Sequence, residues 1–326
     1  MRITEKMMSN SYLRNMQSNL SSLNASTMRL QSRRQYNHVS EDPARATRAF
    51  AVRSQISKTE EYVSAVGTAD DELTMAADNI TSISSILETV YERVGRAGGI
   101  MDQTALNGIA EELKGLKGEI LSVMNTRFGD KYLFGGSNVE NPPFTLDDTG
   151  ALLYNGVKVD DYDPDDLTTH FPGNKDVYLD VGYGSAGLNA GGKGVKISTS
   201  GVDVLGYGKD GEGLENNIYS IIDKMETQLR AGDKDEALKT LENLKKKQSS
   251  VTIASAEIGT RQNILERTAG RLETELLNLK ESQENLEGVD MEKEAVENQA
   301  LKAAWQATLQ LGSNLMLPSI FDFMYQ

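Results

Sequence analysis

The sequence has 326 residues, with 48 acidic against 34 basic side chains, no cysteine and two histidines. These counts exclude disulfides, thiolate metal sites and cysteine nucleophiles, and they leave little material for a histidine metal centre. The net charge of -14 disfavours nucleic acid as a partner, because its phosphates would be repelled. No apolar run is long enough for a cleaved secretion signal or a membrane span, so we expect neither.

Glycine and proline divide the chain into two helical arms and a middle segment. Of the 29 glycines, 17 fall between Gly129 and Gly213, together with four of the six prolines. Both residues are poor in helix interiors, so strands and turns are predicted here. The segment is also acidic, since residues 129–215 carry a net charge of -9, whereas residues 1–50 carry +5.

The N-terminal arm carries narrow apolar stripes typical of helices that pair with other helices. The first stripe has a spacing of three and four residues and consists of Leu13, Met16, Leu20, Leu23, Thr27 and Leu30. Asp42 then offers an N-cap oxygen and Pro43 suits a first helical turn, which predicts a new helix from Pro43. That second helix continues the same spacing through Leu73, Ala76, Ile80, Ile83, Leu87, Val90 and Val94.

The C-terminal arm carries the longest repeat. Apolar residues recur every seven positions at Leu244, Val251, Ile258, Leu265, Leu272, Leu279 and Leu286. A break at Gly288 to Asp290 ends this helix, and a last helix carries Leu301, Trp305, Leu311 and Leu315. Because the two outer helices stop and start at corresponding places, we expect them to pair with each other.

These patterns predict a mainly α protein with an inserted β-rich domain. The expected architecture is an elongated, discontinuous helical bundle or coiled coil with its terminal helices paired and the Gly-rich β insert at the other end. Three parts are predicted: a terminal coiled-coil assembly domain (1–42 plus 287–326), a helical rod (43–130 plus 214–286) and the insert (131–213).

Two motifs in the middle segment resemble ligand-binding loops. Residues 182–187 match the G-x-G-x-x-G pattern, but the following residues open no helix, and a hairpin loop is the favoured interpretation. Residues 160–166 resemble the start of a calcium loop, but Asp166 stands at its glycine position and Pro172 where its closing glutamate belongs. We therefore expect no catalytic, cofactor or metal site, and no enzyme.

The terminal stripes are the stronger signal. Two helices of 30 to 40 residues outside the main body would bury little surface alone, so neighbouring copies or a partner should complete them. The stretch Leu20 to Asn24, the corner Glu41-Asp42-Pro43 and the closing run 303–309 resemble the flagellin-like family of bacterial axial proteins. The start Met1-Arg2-Ile3-Thr4 and residues 132–137 are most similar to family members at the junction of hook and filament.

The resemblance implies a structural subunit joining hook to filament in the extracellular flagellum, exported unfolded by the type III apparatus. Its implied partners are the first hook-filament junction protein (hook-associated protein 1), flagellin, copies of itself in a ring, and a cytoplasmic chaperone on the C-terminal helix. The implied assembly interface comprises Leu13, Met16, Leu20, Leu23, Leu30, Leu301, Trp305, Leu311 and Leu315. Two alternatives stay open: a flagellin filament subunit, or a secreted coiled-coil adhesin or translocator with a β-rich binding head.

Overall fold

The structure, a computed structural model, describes residues 2–99, 101–163, 166, 170–182, 194–210 and 213–316, with the backbone alone for 2–6 and 313–316. It forms two compact units, Met1–Glu60 with Thr274–Gln326, and Glu61–Glu273. We call them the terminal unit and the central unit. The described helices are α1 Arg2–Ser32, α2 Pro43–Ala97, α3 Gln103–Met124, α4 Gly201–Leu205, α5 Ile218–Ala231, α6 Lys234–Glu287 and α7 Met291–Met316.

The central unit is built on a helical bundle whose core follows the predicted stripes. All seven predicted apolar positions between Leu73 and Val94 of α2 are buried. The five repeat positions of α6 from Leu244 to Leu272 are buried as well. The hydroxyl of Tyr91 donates to the carbonyl of Leu244 (3.3 Å), and Gln262 donates from Nε2 to Thr74 Oγ1 (2.9 Å). Residue numbers therefore fall on α2 as they rise on α6, and the two helices run antiparallel. The fold class predicted from the sequence is therefore confirmed.

Helices α3 and α5 pack against each other in the same bundle. The side chain of Asp102 caps α3 by accepting from the amide of Ala105 (2.9 Å). Asn217 caps α5 in the same way, and Gly232 ends α5 in the left-handed conformation at φ +86°. The two N-terminal caps satisfy amide groups, and Gly232 satisfies carbonyl groups, that a helix end leaves unpaired. They fix both ends of α5 within the bundle.

The middle segment contains short antiparallel strands rather than an extended sheet. The strands are β1 Arg127–Phe128, β2 Lys131–Tyr132, β3 Phe144–Leu146, β4 Leu152–Tyr154, β5 Val157–Lys158, β6 Tyr178–Leu179 and β7 Val195–Lys196. They pair as β1-β2, β3-β4-β5 and β6-β7. Asn155 and Gly156 both have positive φ, which is the requirement of a tight two-residue turn between β4 and β5.

The two loop motifs noted in the sequence lie partly outside the described residues. Of the G-x-G-x-x-G run only Gly182 is described, and a Cβ there would lie 2.3 Å from the ring of Tyr62. In the acidic loop, Asp160 accepts a hydrogen bond from the hydroxyl of Ser220 (2.7 Å), so this carboxylate is tied to α5. Residues 164, 165 and 167–169 of that region are not among those described.

Candidate assembly surface on the terminal helices

Helices α1 and α7 form an antiparallel pair within the terminal unit. Near one end, Arg29 donates from Nε to Glu294 Oε1 (2.9 Å). Farther along, the hydroxyl of Tyr12 donates to the carbonyl of Thr308 (2.9 Å). Residue numbers therefore fall on α1 as they rise on α7. The pairing of the two terminal helices that we predicted is present in the single chain.

The seam between α1 and α7 combines apolar side chains with several polar contacts. The amide of Asn298 donates from Nδ2 to the hydroxyls of Ser26 and Thr27, each at 3.1 Å. The amide of Asn19 donates from Nδ2 to Thr308 Oγ1 (3.0 Å). Ser26 is fully buried, although serine is usually exposed. These bonds fix the register of the pair, because an apolar stripe alone tolerates sliding whereas a buried polar group requires its partner.

The predicted interface residues divide into two sets. Five are partly buried: Met16, Leu23, Leu30, Leu301 and Trp305. Three remain exposed, Leu13 at 47%, Leu20 at 39% and Leu311 at 61%. Leu13 and Leu20 are seven residues apart and so lie on one face of α1. The side chain of Leu315 lies outside the described residues.

The sequence stripe missed the seam residues Tyr12, Asn19 and Ser26. These three recur every seven positions, which is the signal that would have found them, but their polar character hid it. With Met16, Leu23 and Leu30 they form a regular four-three spacing that faces α7. Leu13 and Leu20 lie one position away from this line. The exposed set is therefore left without a partner inside the pair.

The predicted corner Glu41-Asp42-Pro43 begins α2 as expected. The carboxylate of Asp42 accepts from the amide of Arg45 (3.0 Å), and the helix starts at Pro43. The carboxylate of Glu41 accepts from the backbone amide of Asn37 (3.3 Å), which closes the loop before it. Both acids therefore shape the turn between α1 and α2.

The turn after α1 is joined by backbone to the turn before α7. The amide of Gln35 donates to the carbonyl of Glu287 (2.8 Å), and the amide of Val289 donates to the carbonyl of Arg33 (3.2 Å). Arg33 takes a left-handed conformation at φ +56°, which is uncommon for a residue other than glycine. This bridge holds the two terminal helices at a common starting point.

A charged cluster lies next to this backbone bridge. The carboxylate of Glu287 is almost fully buried and pairs with the guanidinium of Arg53. The ring of Tyr36 lies close by, and burial, followed by the charge on Glu287, raises the pKa of its hydroxyl. A groove of about 530 Å³ opens beside the cluster, lined by residues that include Arg34 and Lys280.

Gly312 gives a test of how tightly the pair is fitted. A Cβ at this buried position of α7 would lie 1.9 Å from the hydroxyl oxygen of Tyr12. We expect Gly312→Ala to displace Tyr12, break its bond to Thr308 and destabilise the pair. In a Tyr12→Ala background the same change should instead stabilise α7 by up to about 1 kcal/mol, because alanine is the better helix former.

The fluorescence of Trp305, the single tryptophan, measures both effects during urea unfolding. Tyr12→Ala with Gly312 retained is the matched control. If Gly312→Ala has the same effect in both backgrounds, the close fit of these two residues is refuted.

The chemistry of this surface is that of packing and hydrogen bonding. Among the described residues, no helix has the length and apolar character needed to cross a membrane. Within the same residues, no group of three or more acidic or histidine side chains is arranged to hold a metal ion. The distinctive feature is a helix pair with polar contacts in its seam and apolar side chains left on its outside.

Both helical arms of the chain match known protein families. The bacterial flagellin N-terminal helical region matches residues 3–139, and the bacterial flagellin C-terminal helical region matches residues 241–316. Together these regions span more than half of the chain. The chain therefore belongs to the flagellin family of bacterial flagellar proteins. Comparison with curated proteins gives no match.

Solved structures of flagellar junction proteins share the fold. FlgL of Bacillus cereus is 19% identical, with a TM-score of 0.51 over 72% of this chain and 99% of that one. FlgL of Xanthomonas campestris is 15% identical, with a TM-score of 0.54 over 71% and 98%. The flagellar junction protein FlgL of Legionella pneumophila is 14% identical, with a TM-score of 0.52 over 74% and 100%.

Proposed function

We propose that this chain is a structural subunit that joins the hook of the bacterial flagellum to its filament. Family membership and the fold shared with junction proteins support this role. The observation that carries the proposal is the exposed set Leu13, Leu20 and Leu311 on the paired terminal helices. A leucine contributes about 1.5 to 3 kcal/mol when fully buried, so these side chains favour association once a partner covers them.

The occupant of these side chains is a second copy of the chain in a ring. A ring contact joins two different patches, so the exposed leucines of one copy pack against other apolar side chains of the next copy's terminal helices, and each contact removes apolar surface of both copies from water. The seam between α1 and α7 stays within each copy and keeps the helices in register. Of the predicted set, Met16, Leu23, Leu30, Leu301 and Trp305 contribute to the pair, and Leu13, Leu20 and Leu311 contribute to its outer surface. Leu315 is retained in the proposed interface from its sequence spacing alone.

The remaining assignments follow from the same proposal. The three-part division is retained, with the terminal assembly domain at 1–42 plus 287–326, the rod at 43–130 plus 214–286 and the insert at 131–213. The ring lies outside the cell between the first junction protein and flagellin, and the chain has a structural rather than a catalytic role. Before export, a chaperone covers the exposed apolar side chains of α7, which include Leu309 and Leu311.

An assembly assay on isolated hooks tests the proposal. Hooks carrying the first junction protein are incubated with this protein and then with flagellin, and attached filaments are counted by electron microscopy. We expect filaments only when this protein is present. Leu13→Asp with Leu20→Asp should prevent attachment. Ile253→Asp is the matched control and should support attachment, since Ile253 is more exposed than either leucine but lies on α6 in the central unit.

Two outcomes would contradict the proposal. If the protein alone grows long filaments from seeds, it is a filament subunit. If flagellin attaches equally well without it, the protein does not join hook to filament.

A further inference from the structure

Methionine is the only oxidisable sulfur residue of this chain. The sequence has twelve methionines and no cysteine. A thioether is oxidised to a sulfoxide, which turns a flexible apolar side chain into a polar one and disrupts methionine-containing interfaces. The position of each methionine therefore decides which part of the protein an oxidant would affect.

The methionines of the two units differ sharply in exposure. Four methionines of the terminal unit are between 43% and 67% exposed, namely Met7, Met8, Met28 and Met291. In the central unit Met124 and Met225 are fully buried, and Met75 and Met101 are partly buried against the core. Oxidants in solution will therefore reach the terminal unit first.

Met28 lies near the outer leucines of α1. It is eight residues from Leu20, or slightly more than two helical turns, so the two side chains project from neighbouring parts of the helix surface. Met28 is 48% exposed and Leu20 39%. Met7 and Met8 are also exposed, but they lie about 120° and 140° around the helix from Leu13, on other faces of α1. An oxygen added at Met28 would therefore lie beside the surface that copies are proposed to cover.

We propose that Met28 is an oxidation site whose conversion to sulfoxide blocks association of the subunits. This inference rests on the proposed function, because it requires that copies cover α1. The oxidant is a two-electron oxygen donor such as hydrogen peroxide. Its O–O bond breaks, one oxygen forms a bond to the thioether sulfur, the sulfur loses two electrons, and the peroxide is reduced to water.

The effect follows from the polarity of the product. A sulfoxide oxygen is a strong hydrogen-bond acceptor, and burying it between apolar side chains without a donor is costly. Assembly would then exclude oxidised copies. Reduction by methionine sulfoxide reductases, which act on the two sulfoxide epimers, restores the thioether and should restore association.

The test uses the full chain before and after treatment with hydrogen peroxide. Peptide mass spectrometry maps the sulfoxides, and sedimentation measures association of the same samples. We expect oxidation of Met7, Met8, Met28 and Met291 before Met124 and Met225, with at least about tenfold weaker association. Treatment with both reductases should reverse the loss.

Two variants separate the proposed site from general damage. The variant Met28→Leu keeps apolar volume and helix propensity, so it should associate normally and resist peroxide. The matched control, Met75→Leu with Met101→Leu in the central unit, should remain as sensitive as the unmodified chain.

The outcomes are distinguishable. If Met28→Leu loses association on oxidation as the unmodified chain does, or if fully oxidised protein associates normally, the inference is wrong. If untreated protein does not associate at all, the proposed function fails and this inference falls with it. The sulfoxide map still reports the accessibility of each methionine in that case.

Discussion

Replacing both Leu13 and Leu20 with aspartate is expected to abolish association of the subunits and attachment of filaments. Each leucine is already about half buried, so covering it contributes only part of the about 1.5 to 3 kcal/mol of full burial, and each new carboxylate would also have to be desolvated at the contact. A combined loss of at least about 3 kcal/mol lowers the association constant more than a hundredfold. Sedimentation velocity and the hook attachment assay measure the two effects.

The fold of the single chain should survive this double substitution. Both leucines are substantially exposed, so no packed contact of the helix pair is removed. The fluorescence of Trp305 should therefore be unchanged. Leu301→Asp is a useful contrast, because Leu301 is partly buried in the terminal unit and its substitution should disturb Trp305 as well as association.

Ile253→Asp controls for adding negative charge to an already acidic chain. Its side chain is 66% exposed on α6, outside α1 and α7. Normal association of the Leu13 and Leu20 double variant would remove these residues from the interface and leave the function without its supporting observation. Equal loss in the Ile253→Asp control would mean that net charge, rather than the position on α1, decides assembly.

The helices and their core were predictable from spacing alone. The stripes from Leu73 to Val94 and from Leu244 to Leu272 are apolar at every repeat position. Leaving such a continuous apolar stripe in water is unfavourable, so each stripe predicts a helix face packed in a core. The start of α2 was predictable for a different reason. Asp42 and Pro43 act through local hydrogen bonding and backbone geometry, which are independent of the rest of the fold.

The register of α1 on α7 was not predictable from the apolar stripe. Leu13 and Leu20 belong to the stripe by spacing, yet Tyr12 and Asn19 occupy the seam beside them. The choice depends on which donors and acceptors of α7 lie opposite, and on the space left at Gly312, neither of which a single helix reveals. Sequence spacing identified an interaction surface without separating its inner side from its outer side.

The middle segment shows a second limit of the sequence. Its glycine content predicted strands and turns, and antiparallel strands are present, but each described strand has only two or three residues. Glycines with positive φ, including Gly136 and Gly173, close turns within this segment, and a turn residue cannot also extend a strand. Composition thus indicated the kind of structure, whereas the strand lengths depended on individual backbone angles.

Replacing Lys117 with methionine is expected to destabilise the central unit by about 3 kcal/mol, because removing one partner from a buried ion pair leaves the other uncompensated. Lys117 lies on α3 with its side chain 9% exposed, and its Nζ pairs with Glu226 of α5 (2.7 Å) and with Asp223. Glu226 is also nearly buried. It keeps a bond from Arg230 (3.0 Å), so we expect the lower end of the range measured for such losses.

The control for this substitution is Asp223→Asn. The carboxylate of Asp223 is 51% exposed, so water replaces much of its interaction with Lys117 and the cost should not exceed about 1 kcal/mol. Hydrogen exchange of the α3 and α5 amides measures both variants at neutral pH. An equal loss of unfolding free energy in the two variants would show that burial does not determine how much the Lys117–Glu226 ion pair contributes to stability.

The pH dependence of the same contact has a definite sign. Burial alone would lower the pKa of Lys117, but hydrogen bonds from its Nζ to Asp223 and Glu226 outweigh burial and raise the pKa above its ordinary value. The folded state therefore holds this proton more tightly than the unfolded chain, and the contribution is complete below the unfolded pKa of about 10.4. This contribution is lost as the pH rises through the folded pKa.

Urea unfolding followed by circular dichroism should show a difference in unfolding free energy between the unmodified chain and Lys117→Met that is constant up to about pH 10 and shrinks above it. A difference that already shrinks near pH 8 would mean that the pKa of Lys117 is lowered, and that the ion pair does not offset its own burial.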